Sequence, residues 1–118
     1  MFEKNLSISL LLDFYGDILS ERQSEMINMY YNEDCSLAEI ADCFEISRQG
    51  VRSVLKKSET ILLDMENKLH LASRFMQMRD KSTEIASKLL LINHYIDNKE
   101  ISSKIDSLIS EIKELAEY

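Results

Sequence analysis

Apolar residues recur every three or four positions along almost the whole chain, which is the spacing of one face of an α-helix. Before residue 32 this pattern predicts two helices, over 3–15 and over 22–31, and Gly16 is placed to end the first of them. The sequence holds no proline and two glycines, whereas proteins built from sheets need many more turn-forming residues. We therefore predict an all-α fold.

Two short helices are predicted between Ser36 and Lys57, in a pattern that is typical of a helix-turn-helix. Ser36, with Glu39 three residues later, matches a capping box at the start of the first helix. Ser47 is a good N-cap for the second helix. Each helix has apolar residues on one face, and Ala41 is small, as the crossing of two close helices requires. We expect the two helices before residue 32 to support this pair as a helix-turn-helix bundle.

The apolar spacing continues beyond this pair without a break. It predicts one long helix from Arg48 to about Met78, with a bend near Asn67. At roughly 1.5 Å per residue such a helix would be about 45 Å long, which is more than a compact body of this size needs. Polar residues over 79–82 predict the turn that ends it.

The last third of the chain predicts two more helices, separated by a polar turn over 97–100. Because the turn is short, they would pack as a C-terminal helical hairpin. We therefore divide the sequence into a helix-turn-helix domain, residues 1–60, and a helical extension, residues 61–118, with a role in oligomerisation or partner binding. The apolar seam of the long helix predicts a homodimer interface formed by Leu62, Met65, Leu69, Phe75 and Met76.

The formal net charge of −7 is unevenly distributed along the chain. Residues 1–46 hold ten acidic and two basic residues, whereas residues 47–57 hold four basic residues and no acidic one. Positive charge is therefore concentrated on the second helix of the predicted motif. Six residues of this helix and its immediate continuation are candidates for contact with DNA or RNA: Arg48, Gln49, Arg52, Ser53, Lys56 and Lys57.

This basic stripe has two interpretations. Arg48 and Arg52 are four residues apart and project together, and arginine binds guanine or a phosphate in a bidentate way. The alternative is an ordinary solvated helix face. The first motif helix and the turn carry Glu39, Asp42 and Glu45, which would repel a phosphate backbone. The residues leave both interpretations open.

No catalytic or metal-binding group of residues is recognisable in the sequence. Cys35 and Cys43 show neither a disulfide framework nor zinc spacing, and His70 and His94 lie apart from them and from each other. We predict a protein that is not an enzyme and uses no cofactor or metal. The N-terminus lacks the pattern of a signal peptide, and no apolar run is long enough to span a membrane. We therefore expect a cytoplasmic protein without membrane insertion.

Two resemblances add to this interpretation. The stretch from Leu19 to Lys57 resembles region 4 of bacterial sigma factors, in LSERQ before a helix and in SLAEIA and ISRQGVRSVLKK after it. The whole chain resembles the YlxM-type family of Firmicutes and related bacteria, through DFYGDILSERQ, SRQGVR and the acidic helical C-terminal third. In that family the gene usually lies beside the genes for the signal recognition particle GTPase and its receptor.

The resemblance to the YlxM-type family implies a regulatory protein with a DNA-binding fold. It also implies a regulatory or accessory role in the signal recognition particle pathway. The alternative is a protein-interaction module that binds the GTPase of the particle, or its RNA, without sequence-specific binding to DNA.

Overall fold

The structure is a computed structural model that describes the chain from residue 2 to residue 117, and its side chains from residue 8 onward. The described residues form helices and turns and no strand. The predicted all-α fold, with a helix-turn-helix, is therefore confirmed. Its helices are α1 (Phe2–Tyr15), α2 (Glu21–Tyr31), α3 (Leu37–Phe44), α4 (Arg48–Leu69), α5 (Leu71–Asn93) and α6 (Lys99–Leu115), with a 3-10 turn at Gly16–Ile18 after α1.

Two compact units divide the chain, one ending at Ala72 and one beginning at Ser73. In the first unit α4 packs against α1, α2 and α3, so it lies at the centre of a four-helix arrangement. Five large side chains in its core have no accessible surface: Met26, Ile27, Ile40, Val51 and Leu62. Full burial of one such side chain contributes about 1.5–3 kcal/mol, so this core holds the motif helices in place.

The short helices begin where their sequences predict, because each has a local cap. At α3 the Ser36 hydroxyl accepts a hydrogen bond from the Glu39 N–H at 3.0 Å, and the Glu39 carboxylate accepts one from the Ser36 N–H at 2.9 Å. This is the predicted capping box. Ser20 and Gln23 form another at α2. The Ser47 hydroxyl caps α4 through the N–H of Gly50, at 3.0 Å.

The prediction of one long helix from Arg48 to about Met78 is wrong, because α4 ends at Leu69, although the break lies only three residues after the predicted bend near Asn67. His70 takes a left-handed conformation, with φ 58° and ψ 27°, and its N–H donates to the Glu66 carbonyl at 2.8 Å. The chain re-enters a helix at Leu71, at a place with no glycine or proline to mark the break.

Two side chains take the place of a local cap at the start of α5. The Tyr15 hydroxyl accepts a hydrogen bond from the Leu71 N–H at 3.1 Å, and the Glu66 carboxylate accepts one from the Ala72 N–H at 3.0 Å. The first amides of a helix have no partner within the helix, so these contacts stabilise a new start just after His70.

The turn predicted over 79–82 is also wrong, since α5 continues through these residues to Asn93. Its polar side chains are compatible with an exposed helix face: Lys81 and Lys88 both pair with Glu84, at 3.5 and 3.1 Å. Such i,i+3 and i,i+4 pairs stabilise a helix modestly.

In the second unit, α5 and α6 are joined by residues 94–98 as a helical hairpin. The Asn98 side chain caps α6 by accepting hydrogen bonds from the Glu100 and Ile101 amides. The Asn93 amide donates to the Asp106 carboxylate at 2.9 Å and so links the two helices. The division between units falls at Ala72 rather than at the expected residue 60, because α4 runs through residue 60 and its Leu62 is part of the core of the first unit.

Candidate nucleic-acid interface

The turn of the motif is set by backbone geometry between α3 and α4. Glu45 is left-handed, with φ 56° and ψ 43°, and the N–H of Ile46 donates to the Ala41 carbonyl at 3.1 Å. Ala41 and Val51 are buried where the two helices meet, and Ile46 packs against the same core. The core therefore fixes α4 relative to α3 and leaves the opposite side of α4 in solvent.

All six candidate residues on α4 are exposed. They occupy a little under three turns at the start of the helix. Within the part of the chain that the structure describes, none of the four cations among them is held in an ion pair. This exposed set is called the α4 basic face below, and it consists of Arg48, Gln49, Arg52, Ser53, Lys56 and Lys57.

The start of α4 differs electrostatically from the starts of α2 and α3. Those two helices carry Glu21 and Glu39 in their first turns, whereas α4 carries no acidic residue there. A helix N-terminus holds partial positive charge, which a first-turn carboxylate normally offsets. At α4 this charge adds to that of Arg48, so the end of the helix nearest the turn is positive.

Negative charge lies next to this face on α3 and in the turn. Glu39, Asp42 and Glu45 are all exposed. The hydrogen bond from the Ser36 N–H holds the pKa of the Glu39 carboxyl below its usual value, and the interaction with the Ser36 hydroxyl lowers this pKa further. Glu39 is therefore anionic at neutral pH. The motif presents a basic second helix beside an acidic first helix.

Lys56 and Lys57 lie at the far end of the basic face and line an open depression of about 500 Å³. Gln23, Thr60 and Ile61 complete its lining. The Thr60 hydroxyl donates to the Lys56 carbonyl at 2.9 Å. Sequence reasoning did not select Gln23 or Thr60. Thr60 follows Lys56 by one helical turn, so the helical spacing could have placed it beside Lys56. Only the packing of α2 on α4 brings Gln23 to this place.

The residues predicted to form the oligomer interface do not share one surface of one helix. Leu62 is completely buried in the core and Met65 packs against that core, so Leu62 is a core residue and not an interface residue. Leu69, the last residue of α4, is exposed. Phe75 and Met76 are half-buried and lie on α5, beyond the break at His70.

The remaining candidate chemistry is sparse over the described residues. No three potential metal-ligating side chains among them lie close enough to hold a metal ion. Cys43 is exposed, and Cys35 is half-buried, which raises the pKa of its thiol. None of the described helices combines the length and the apolarity that crossing a membrane requires.

The fold and the α4 basic face together define a helix-turn-helix protein. Residues 2–105 match the model of the family described as "Putative helix-turn-helix protein, YlxM / p13 like". This chain belongs to that family.

Full-length similarity to curated relatives agrees with this assignment. The chain is 37% identical to a UPF0122 protein of Acetivibrio thermocellus over 95% of its own length and 98% of the relative's. It is 39% identical to a UPF0122 protein of Thermoanaerobacter sp. over 93% and 94%, and 35% identical to one of Limosilactobacillus reuteri over 98% and 96%.

Proposed function

We propose that this protein is a regulator that binds nucleic acid, with DNA as its first ligand, and that the α4 basic face enters the major groove. The single observation that carries the proposal is this face itself. Four cations, exposed and without ion pairs, lie on the second helix of a helix-turn-helix, where proteins of this class read DNA. Such a role would place the protein in the cytoplasm.

The residues of the basic face divide into two groups by position. Arg48, Gln49, Arg52 and Ser53 lie in the first two turns of α4, which is the part of a recognition helix that contacts base edges. Arginine pairs with guanine and glutamine with adenine, each through two hydrogen bonds. Lys56, one turn farther along with Lys57 beside it, suits the phosphate backbone, for which a flexible point charge is sufficient.

The acidic residues beside this face limit the affinity and favour specificity. Phosphate contacts supply most non-specific affinity, and four cations are few. Glu39, Asp42 and Glu45 would repel a backbone that approached α3. We therefore expect weak binding to random DNA, with measurable affinity depending on base contacts by the first two turns of α4.

Selection of bound sequences from a random DNA pool, followed by fluorescence anisotropy at several salt concentrations, tests this proposal. Arg52→Ala should lower affinity for a selected site by about 1–3 kcal/mol, the usual value of one bidentate base contact. Arg79→Ala is the matched control, because Arg79 is an exposed arginine of α5 and is not part of the motif. Absence of binding to any DNA or RNA at low salt would contradict the proposal.

A second candidate function follows from the charge of the first unit. Up to Ala72 the sequence has thirteen acidic and seven basic residues, a net charge of −6. We infer that such a body would suit a basic protein surface better than bare DNA. In this alternative the motif is a scaffold, and the α4 basic face contacts the signal recognition particle GTPase or its structured RNA. Co-purification of that GTPase or RNA, with no enrichment of DNA fragments, would favour it.

A further inference from the structure

The hairpin of the second unit exposes two lines of large apolar side chains. On α5 they are Met78, Ile85 and Ile92, and on α6 they are Ile101, Leu108 and Leu115. Each of the six has between 39% and 59% of its surface exposed. Both lines repeat every seven residues, as in helices that pack against other helices along their length.

The two lines lie on the same side of the hairpin. Ala86 of α5 and Ile109 of α6 are buried, and we use each as the reference position from which residues on its own helix are counted. The exposed residues stand at the same offsets from each reference: eight before, one before and six after. Each residue along an α-helix is rotated by about 100° from the one before it. When two antiparallel helices face each other through their reference residues, side chains at equal offsets from these residues therefore point to the same side of the pair. The six residues therefore form one surface, which we name the hairpin face.

The second unit has little core of its own. Between Ser73 and residue 117, the buried side chains are Ser82, Ala86 and Ile109, two of which are small. Two helices bury one side of each against the other and leave the remaining apolar surface in water. An exposed apolar face this extended marks a surface that contacts another element.

We propose that the hairpin face binds the hairpin face of a second copy of the chain, so that two hairpins form a four-helix bundle. The face carries the same seven-residue pattern on both helices, so it can be placed against itself in a two-fold contact. Packing of such lines between neighbouring helices is the arrangement of four-helix bundles.

The charge distribution supports a second copy as the occupant. Residues 73–118 contain eight acidic and seven basic residues, a net charge of −1, whereas the first unit carries −6. Two second units can therefore approach with little repulsion, whereas two first units cannot. Exposed charges of both signs border the face. On α6 Lys104 pairs with Glu100, and on α5 Glu84 pairs with Lys81 and Lys88.

This assembly would give the proposed nucleic-acid binder two α4 basic faces in one particle. A two-fold dimer of helix-turn-helix units reads two half-sites about one helical turn apart. The assembly rests on the hairpin face and not on nucleic acid, so its test is made with the full chain in the absence of DNA and RNA.

Sedimentation equilibrium of the full chain between 1 and about 100 μM provides the test. We expect the wild-type protein to be a dimer and Leu108→Glu to be a monomer, with the dissociation constant of the dimer raised at least about tenfold by the charge placed in an apolar contact. Ile85→Glu is the second variant, on the other helix. Both side chains are about half exposed in the single chain, so circular dichroism should show intact helices.

Leu91→Glu is the matched control, because Leu91 is an exposed leucine of α5 outside the two lines. It should remain a dimer. A wild-type monomer throughout the concentration range would overturn the proposal and would leave the face to the first unit of the same chain or to another protein. A dimer that survives both Leu108→Glu and Ile85→Glu, or one that dissociates with Leu91→Glu alone, would overturn it as well.

Discussion

Tyr15 and Glu66 lie 51 residues apart in the sequence and form a hydrogen bond of 2.7 Å, in which the tyrosine hydroxyl donates to the carboxylate. Both groups then accept hydrogen bonds from the first amides of α5. Tyr15 is 3% exposed and Glu66 is half-buried, so the hydrogen bond is partly shielded from water. This contact joins the end of α1 to the end of α4 and stabilises the break at His70.

Replacing Tyr15 by phenylalanine tests the contribution of this contact. The ring still fills its site, but the Leu71 N–H and the Glu66 carboxylate each lose a partner. Loss of such bonds at a buried site costs about 1–3 kcal/mol. We expect the free energy of unfolding in urea to fall by that amount, with faster hydrogen exchange at Leu71. Tyr95→Phe is the control, since Tyr95 is 78% exposed, and an equal loss there would contradict the assignment.

Stability should also fall at alkaline pH because of two tyrosines. Burial, followed by the hydrogen bond to Glu66, raises the pKa of Tyr15, and burial with the hydrogen bond to Glu59 raises the pKa of Tyr31. A raised pKa in the folded state means that this contribution to stability is complete below about pH 10, the unfolded value, and is lost as the pH rises above it.

Urea unfolding at pH 8 and at pH 10.5 measures this effect. The double variant Tyr15→Phe, Tyr31→Phe has no such groups to ionise, so its stability should change less between the two values. All other residues are the same in the two proteins, so their contributions cancel in the comparison. An equal pH dependence in the two proteins would exclude the tyrosines as the cause.

Glu45→Gly should stabilise the helix-turn-helix. A left-handed conformation costs a residue with a side chain about 1–2 kcal/mol, a cost that glycine avoids. Part of this gain is offset by the greater freedom of glycine in the unfolded chain. We expect a net gain of about 0.5–1 kcal/mol in the free energy of unfolding. Glu45→Gln removes the same charge without relieving the backbone, so it should not show this gain.

Leu62→Ala tests whether Leu62 is a core residue, as the structure shows, or an exposed interface residue, as the sequence predicted. Because Leu62 is completely buried, its truncation should cost about 2–5 kcal/mol, whereas Leu69→Ala on the exposed end of α4 should cost much less. Chemical denaturation of both variants measures the difference. Similar losses for the two leucines would restore the interface assignment of Leu62.

The salt dependence of DNA binding should reflect the lysines of the α4 basic face. Each phosphate contact adds about −0.9 to the slope of log K against log salt concentration. Lys56→Ala should make the slope shallower by about one unit and weaken binding equally at all DNA sequences. Lys113→Ala, at the exposed end of α6, should leave the slope unchanged. A slope near zero for the wild-type chain would show that the protein makes no phosphate contacts.

The sequence determined the features of this protein that depend on neighbours within one or two turns. The Ser36 capping box, the Ser47 cap and the outward side of α4 follow from residues three or four positions apart, so a periodic pattern is enough to predict them. The concentration of positive charge on α4 is likewise a property of the sequence.

Only the tertiary structure determined the features that depend on contacts between residues far apart in the sequence. The sequence predicted a bend near Asn67 but not a complete break at His70, because the cap of α5 comes from Tyr15, 56 residues before Leu71. The absence of a break over 79–82 has the same origin: polar residues tolerate either a turn or an exposed helix face, and only packing chooses between them. Burial of Leu62 and exposure of the hairpin face were decided in the same way, since periodicity shows which residues are apolar but not which neighbour covers them.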